Sequence, residues 1–275
     1  MSREQDVVRH YESGDLMDRI VAALKRAGVD PTRPTPAELA PVDEFHIGGA
    51  PASEALAAKL PFKPGDRLLD VGSGLGGPAR FFAQRFGARV TGIDLTPEYV
   101  EVARRLSGLT GQGDATTFDA GSALAMPYDD ASFDGAITVH VAMNIADRDR
   151  LYAEIGRVLK PGASFGVYDV MKGNAAPLDF PVPWAMTAET SHVLTPAETR
   201  ASLERAGFKI VAIEDRTHQA LEFFEKGLAA AKAAGGPPAL GLQLLTGATH
   251  VQKFTNMRSA LGDGRLTPTM IVARK

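Results

Sequence analysis

From residue 67 onward, the chain alternates between two kinds of apolar pattern. Short apolar runs typical of buried strands occur at 67–72, 88–94, 115–120, 133–140, 164–171, 209–216 and 267–273. Amphipathic stretches with helical spacing occur at 77–86, 97–107, 147–159 and 196–206. Because strands that alternate with helices form parallel sheets covered on both faces, the pattern predicts an α/β fold.

The last predicted strand differs from the others because no helix leads tightly into it. We therefore expect 267–273 to lie antiparallel beside 209–216, in a seven-stranded and otherwise parallel sheet. The segment 218–260 between these two strands is largely helical in pattern, with a break at 235–238. It is expected to be an insertion.

The first 60 residues lie outside the alternating pattern. Helical spacing of apolar positions predicts one amphipathic helix over 6–28 and a short helix over 54–60. Four prolines between residues 31 and 41 predict a connector without regular structure. The expected division is a helical cover (1–60), a core (61–217), a helical insertion acting as lid or dimer surface (218–262) and a final core strand (263–275).

Composition excludes several classes of partner and chemistry. The chain of 275 residues is 44% hydrophobic, which is ample for a buried core, and its net charge of −3 favours neither nucleic acid nor an anionic membrane. It contains no cysteine, so disulfides and zinc–thiolate sites are excluded. No stretch approaches the length of a membrane span, and the N-terminus lacks a signal-peptide pattern. We expect a cytoplasmic protein that acts on a small molecule, without a nucleic-acid partner, and we consider a homodimer.

The most informative segment is a glycine loop at the end of the first predicted strand. Gly72, Gly74 and Gly77 satisfy the G-x-G-x-x-G pattern of dinucleotide sites, and Asp94 lies where a ribose-binding acid is expected. Two cofactor classes use such a loop, nicotinamide dinucleotides and S-adenosylmethionine. Asp70 favours the second, because its carboxylate would repel a pyrophosphate but suits a sulfonium ligand that carries an ammonium group.

Further features favour S-adenosylmethionine, namely a turn over 125–134 before the fourth strand, a helix that ends near 158–162, and the antiparallel last strand pair. The chain resembles a class I S-adenosylmethionine-dependent methyltransferase with a Rossmann-like sheet, best over residues 45–175. Within that class it resembles the small-molecule branch of ubiquinone/menaquinone C-methyltransferases, phosphoethanolamine methyltransferases and sarcosine/dimethylglycine methyltransferases.

The resemblance implies a set of cofactor-binding residues, which come from the loops after the first four strands and from the segment before the core. These residues are Asp70, Gly72, Ser73, Gly74, Asp94, Leu95, Ser122, Ala123, His140, His46 and Gly49. Asp94 would accept both ribose hydroxyls. Ser122 stands where the family usually has an aspartate that binds the adenine amine.

The resemblance also suggests residues for the chemistry, each of which has a structural alternative. His140 is a candidate base or a structural hydrogen-bonding residue, and Tyr11 is a candidate catalytic residue or an ordinary residue of an amphipathic helix. Asn144 occupies the place of the catalytic histidine of the phosphoethanolamine branch, which argues against that substrate. From its place in the loop after the fifth strand, Trp184 is a candidate wall of the acceptor site or an anchor of the lid, and His192 and His46 are further candidates for acceptor binding. No metal site is expected.

The expected function is methyl transfer to a small apolar or ring-containing acceptor, by C- or O-methylation. N-methylation of a small amine is the second interpretation. An NAD-dependent oxidoreductase and a cofactor-binding relative without catalysis are alternatives from other classes.

Overall fold

The structure, a computed structural model, describes residues 3–275. Its strands are β1 (Arg67–Val71), β2 (Arg89–Asp94), β3 (Thr116–Ala120), β4 (Phe133–Val139), β5 (Leu159–Lys172), β6 (Lys209–Asp215) and β7 (Leu266–Arg274). Its α-helices are α1 (Arg3–Tyr11), α2 (Leu16–Arg26), α3 (Pro36–Asp43), α4 (Gly49–Ala57), α5 (Gly77–Phe86), α6 (Pro97–Leu109), α7 (Arg148–Val158), α8 (Pro196–Arg205), α9 (Thr217–Ala233), α10 (Gln243–Thr246) and α11 (His250–Gly262).

The seven strands form one sheet in the order β3-β2-β1-β4-β5-β7-β6. The pairs from β3 to β5 are parallel, and β7 is antiparallel to both β5 and β6. The predicted α/β fold, the seven strands and the antiparallel last strand are therefore confirmed. The strand order changes direction between β1 and β4, and this is where ligands bind in open α/β sheets.

Helices cover both faces of the sheet, because its central strands are apolar on both sides. Four of the five residues of β1 and six of the seven residues of β4 are buried. One apolar layer packs around Phe165, Leu151 and Ile155, and the other around Phe82 and Phe118. Continuous apolar runs of this kind are typical of parallel strands buried on both faces.

The predicted helix over 6–28 is wrong, because the structure has two helices there, α1 and α2. Gly14 adopts a left-handed conformation with φ +83°. The Glu98 carboxylate at the start of α6 accepts hydrogen bonds from the backbone N–H groups of Ser13 (2.6 Å) and Leu16 (2.9 Å). This contact with a distant residue satisfies N–H groups at the break, and local periodicity could not reveal it.

The predicted irregular connector over 31–41 is also wrong in part, because it contains the start of α3. Thr35 accepts a hydrogen bond from the Glu38 backbone N–H, and the Glu38 side chain accepts one from the Thr35 N–H. Pro36 occupies the first turn, where a missing N–H is tolerated, and Pro41 removes one hydrogen bond from a short helix. The next helix, α4, begins at Gly49, earlier than the predicted residue 54.

Residues 217–262 form α9, α10 and α11, as the helical pattern of this insertion predicts. Phe224 of α9 and Met257 of α11 are buried in one apolar cluster with Trp184. Through this cluster the insertion packs against the loop that follows β5.

In the described chain, none of the helices is long and apolar enough to cross a membrane.

Candidate active site

A cavity of about 260 Å³ lies at the carboxyl ends of the central strands. Its floor consists of the loops that follow β1, β2, β3 and β4. These loops contribute Gly72, Ser73, Gly74, Leu75, Asp94, Leu95, Thr96, Gly121, Ser122, Ala123, Leu124, His140, Val141, Met143, Asn144, Ile145, Ala146 and Asp147. The cavity therefore occupies the position that the sheet topology favours for a ligand.

Segments from both ends of the chain form the roof of the cavity. They contribute Glu4, Val7 and Tyr11 from α1, Asp43, Phe45, His46 and Ile47 from the end of α3 and the loop after it, Pro183 and Trp184 from the loop after β5, and Phe223, Phe224, Leu242, Phe254 and Met257 from the insertion. The floor is rich in glycine and polar groups, whereas most of the roof is aromatic or aliphatic. The cavity thus has a polar side and an apolar side.

The glycine loop approaches the cavity closely, because two of its residues adopt left-handed conformations. Gly72 has φ +77°, and a Cβ there would lie 2.4 Å from a methyl group of Val141. Gly74 has φ +53°, and a Cβ there would point into open space. Glycine is therefore needed at position 72 for packing, while at position 74 it leaves room on the cavity side.

Asp94 fixes this loop from the end of the neighbouring strand. One carboxylate oxygen accepts a hydrogen bond from the Gly74 N–H at 2.8 Å, and the other accepts one from the Thr96 N–H at 2.9 Å. Burial raises the pKa of Asp94, and these backbone N–H groups oppose that shift. Because each carboxylate oxygen can accept more than one hydrogen bond, Asp94 retains acceptor capacity for a ligand.

His140 ends β4 in a conformation that is rare for a residue with a side chain. Its φ is +54°, and its backbone N–H donates to the Tyr168 carbonyl at 2.7 Å. Its ring packs on Tyr168, with centroids 4.8 Å apart, and lies edge-on to His46 at 5.9 Å. Left-handed conformations of this kind cluster at functional sites, where surrounding contacts hold them.

Comparison with known proteins agrees with this geometry. A family model described as "Methyltransferase domain" matches residues 69–167. Methyltransferase phqN of Penicillium fellutanum is 31% identical over 166 residues, which are 58% of this chain and 51% of that protein. O-methyltransferase cnsE of Penicillium expansum is 28% identical over 274 residues, 86% of this chain and 95% of that protein.

A solved structure shows the same fold over the whole chain. Geranyl diphosphate C-methyltransferase from Streptomyces coelicolor has a TM-score of 0.71 at 19% identity, covering 100% of this chain and 98% of that one. Residues 69–167 thus match a methyltransferase domain, and the whole chain has the fold of a solved methyltransferase. The chain matches about half the length of phqN, so the activities of its relatives are not transferred with the fold.

The residues around the glycine loop fit S-adenosylmethionine. Three buried side chains around the glycine loop have a polar atom without a protein partner, namely Asp70 Oδ2, Ser73 Oγ and the Tyr99 hydroxyl. Burial raises the pKa of Asp70 to about 7, and the nearby Asp94 adds to this shift. Unpartnered polar atoms beside acidic groups are suited to a polar ligand that carries positive charge.

Most of the residues expected to bind cofactor do line the cavity. These are Gly72, Ser73, Gly74, Asp94, Leu95, Ser122, Ala123, His140 and His46. Asp70 does not line it, in contrast to our expectation, because it lies behind the loop and is only 1% exposed. Gly49 also lies outside the lining, where its carbonyl accepts a hydrogen bond from the His46 ring.

The residues expected to act on the acceptor divide in the same way. Tyr11 and Asn144 meet in the cavity wall, where the Tyr11 hydroxyl donates to Asn144 Oδ1 at 3.3 Å. Trp184 lines the cavity, and its indole N–H donates to Ser191 Oγ at 2.9 Å. His192 lies outside the lining. Its backbone N–H donates to the Met143 carbonyl, and its carbonyl accepts a hydrogen bond from Arg148, so its role at the acceptor stays a prediction.

Sequence reasoning missed several residues in and around the cavity. Tyr99 lines the cavity beside Tyr11, with ring centroids 5.8 Å apart. Ser122 donates a hydrogen bond to Glu4, and Ser53 donates one to Glu44 at 2.8 Å. These partners come from different parts of the fold, and no motif links them. Only the position of Tyr99 three residues after Thr96, at the start of a helix that follows β2, could have suggested its place.

Proposed function

We propose that this protein transfers a methyl group from S-adenosylmethionine to a small, apolar or ring-containing acceptor, by C- or O-methylation. The observation that carries the proposal is the single cavity that joins the Gly72–Gly74 loop and Asp94 to an apolar roof. Cofactor and acceptor would then share one cavity, as in-line transfer requires.

The apolar side of the cavity supports an uncharged acceptor. Its roof includes the side chains of Trp184, Phe224, Phe254 and Met257. Within the described part of the chain, no lysine or arginine lines the cavity, whereas Glu4, Asp43, Asp94 and Asp147 do. A phosphate or diphosphate acceptor would lack a cationic side chain there, and burying such an anion unpaired is unfavourable.

The protein contributes binding, alignment and exclusion of water. S-adenosylmethionine, when bound, supplies an electrophilic methyl group on a sulfonium centre. Asp94 would hold the ribose, the glycine loop would contact the methionine part, and Asp70 would add negative charge behind that loop. The α1 and α9–α11 segments form a roof that would keep water from the reacting atoms. Methyl transfer needs no metal ion, and among the described residues no group of three His, Asp or Glu side chains is arranged to hold one.

The acceptor would lie between the cofactor and the aromatic roof. Trp184 would form one wall of its site, and the hydrogen-bonded pair of Tyr11 and Asn144 would orient its polar group. His140 would contact the methionine part of the cofactor at the end of β4. Residues 218–262 would act as a lid. A cytoplasmic location, a homodimer and the absence of a nucleic-acid partner stay predictions.

The test is a methyl-transfer assay with S-adenosylmethionine labelled in its methyl group. The acceptor panel contains neutral phenols, sterols and polyketide lactones, together with phosphoethanolamine, geranyl diphosphate and dimethylglycine. We expect labelled product from a neutral acceptor and none from the phosphorylated ones. Transfer only to an amine would favour N-methylation, and transfer only to a phosphorylated acceptor would contradict the proposal.

A further inference from the structure

Two histidines line the cavity, but their surroundings differ. The Nε2 atom of His140 is buried without a hydrogen-bond partner. The His46 side chain, by contrast, is 1% exposed, and its Nε2 lies 3.0 Å from the Gly49 carbonyl oxygen, 3.3 Å from Ser53 Oγ and 3.5 Å from a Glu44 carboxyl oxygen. Three oxygens thus surround one nitrogen of His46.

This arrangement determines which nitrogen of His46 carries the proton. The Gly49 carbonyl can only accept a hydrogen bond, so Nε2 must be the donor. In the neutral ring the lone pair is then on Nδ1. Burial lowers the pKa of His46 to about 4, so the ring is neutral near pH 7. His46 is therefore a neutral imidazole with a defined tautomer and one basic nitrogen.

Glu44 and Ser53 hold this tautomer from α4 and from the loop before it. The Ser53 hydroxyl donates to the same Glu44 oxygen that faces His46, at 2.8 Å. Charged groups near Glu44 are Asp43, Arg80 and Asp70. Burial, followed by the charge of Asp43, raises the pKa of Glu44 to about 8.

The preceding residue is anchored to the core beneath the glycine loop. Asp43 forms an ion pair with Arg80 at 2.6 Å, and both side chains are almost fully buried. Arg80 also donates to the Leu75 carbonyl at 2.8 Å. The segment that carries Glu44 and His46 is therefore fixed to the same loop that the proposed cofactor would contact. Such a fixed base is what proton transfer at a reacting centre requires.

We propose that His46 is the proton acceptor of the methyl transfer and that Glu44 and Ser53 are its positioning residues. This inference rests on the proposed function. A bond forms between the acceptor atom and the methyl carbon, and the bond from that carbon to sulfur breaks, its electron pair going to sulfur. The proton of the acceptor moves to Nδ1 of His46, and the proton on Nε2 stays there, hydrogen-bonded to the Gly49 carbonyl.

The balance of charge supports His46 in this role. Before transfer the cavity holds a positive sulfonium, and after transfer it holds a positive imidazolium, so its net charge does not change. A nearby positive charge lowers the basicity of a buried imidazole, and its loss restores that basicity. His46 would thus become a better base as the methyl group leaves. The proton would then pass to solvent when the product departs.

The first test is NMR of protein labelled with ¹⁵N-histidine, in complex with S-adenosylmethionine or with S-adenosylhomocysteine. The chain has six histidines, so His46→Gln identifies the signal of His46. We expect the Nε2–H tautomer in both complexes. The pKa of His46 should be higher by about one pH unit or more in the complex with S-adenosylhomocysteine, whose sulfur is uncharged. An Nδ1–H tautomer, or the same pKa in both complexes, would overturn the inference.

The second test measures turnover with an acceptor identified by the panel above. His46→Gln should lower kcat about 100-fold or more while S-adenosylhomocysteine affinity changes less than about twofold. Glu44→Gln, which keeps a hydrogen-bonding side chain, should retain more kcat than Glu44→Ala and should alter the alkaline limb of the pH profile. His218→Gln, an exposed histidine on α9, is the matched control and should behave as wild type.

These measurements separate the two proposals. If S-adenosylhomocysteine does not bind, the proposed function fails. If it binds and His46→Gln keeps wild-type kcat, only the role of His46 fails. A larger loss of kcat in His140→Gln than in His46→Gln would also overturn the inference, because it would place the base at the end of β4. Partial recovery of kcat in His46→Ala on addition of imidazole would support it.

Discussion

Replacement of Asp94 by alanine should weaken cofactor binding strongly. The carboxylate already accepts the Gly74 and Thr96 N–H groups at 2.8 and 2.9 Å, so it is oriented before any ligand binds. A hydrogen bond to a charged group contributes about 1.5–3 kcal/mol. Loss of the two hydrogen bonds between the ribose hydroxyls and Asp94 would then cost at least about 3 kcal/mol of binding free energy, or roughly 150-fold in Kd.

Calorimetric titration with S-adenosylhomocysteine measures this loss. Asp119→Asn is the matched control, because Asp119 lies on the adjacent strand β3 and accepts its hydrogen bond from Tyr128 rather than facing the cavity. Thermal denaturation of both variants shows whether they remain folded. A folded Asp94→Ala variant with wild-type affinity would refute the assignment of Asp94 to the ribose.

Three further changes have distinct expected outcomes. Gly72→Ala places a Cβ 2.4 Å from Val141 at φ +77° and should destabilise the fold by about 2–4 kcal/mol, as thermal denaturation measures. Gly74→Ala places its Cβ in open space and should chiefly reduce S-adenosylhomocysteine affinity, as calorimetry measures; the reverse pattern would contradict the loop geometry. Affinity for S-adenosylmethionine should rise about tenfold from pH 6 to pH 8, because burial raises the pKa of Asp70 to about 7 and a cationic ligand favours the ionised carboxylate. The affinity of Asp70→Asn should depend less on pH, and equal pH dependence in both proteins would argue against this linkage. Trp184→Phe removes the 2.9 Å hydrogen bond to Ser191 and should raise KM for the acceptor, while S-adenosylhomocysteine affinity stays within about twofold of wild type. A loss of S-adenosylhomocysteine affinity instead would place Trp184 at the cofactor rather than at the acceptor.

The sheet could be predicted from the sequence because its signals are local. The apolar run of β1, the apolar run of β4 and the glycines between β1 and α5 can each be recognised within a few consecutive residues. The same holds for the loop that Asp94 fixes, since Asp94 and Gly74 belong to one strand–helix–strand unit. Local patterns are sufficient where the local preference agrees with the fold.

The N-terminal cover could not be predicted in the same way. The break between α1 and α2 is accompanied by hydrogen bonds to Glu98, which lies more than 80 residues away. The helix α3 forms although prolines are frequent around it, because the Thr35–Glu38 capping interactions and the burial of Leu39 outweigh the loss at Pro41. A contact between distant segments thus accompanies the first break, whereas α3 combines a local capping pattern with burial in the fold.

The chemistry of the candidate site shows the same division. His46 was expected from the sequence as a cofactor or acceptor contact, but its tautomer depends on Gly49, Ser53 and Glu44 together. His192 was expected near the acceptor, but the loop after β5 turns its backbone toward Met143 and Arg148. A residue type suggests a role, and only the packing around it shows whether that role is open to it.

The central claim is that the cavity binds S-adenosylmethionine rather than a nicotinamide dinucleotide. The most direct test is calorimetric titration of the purified protein with S-adenosylhomocysteine and, in parallel, with NADH. The account predicts saturable binding of S-adenosylhomocysteine with one site per chain and no binding of NADH. Binding of NADH alone would contradict the account and would show that Asp70 does not exclude a pyrophosphate.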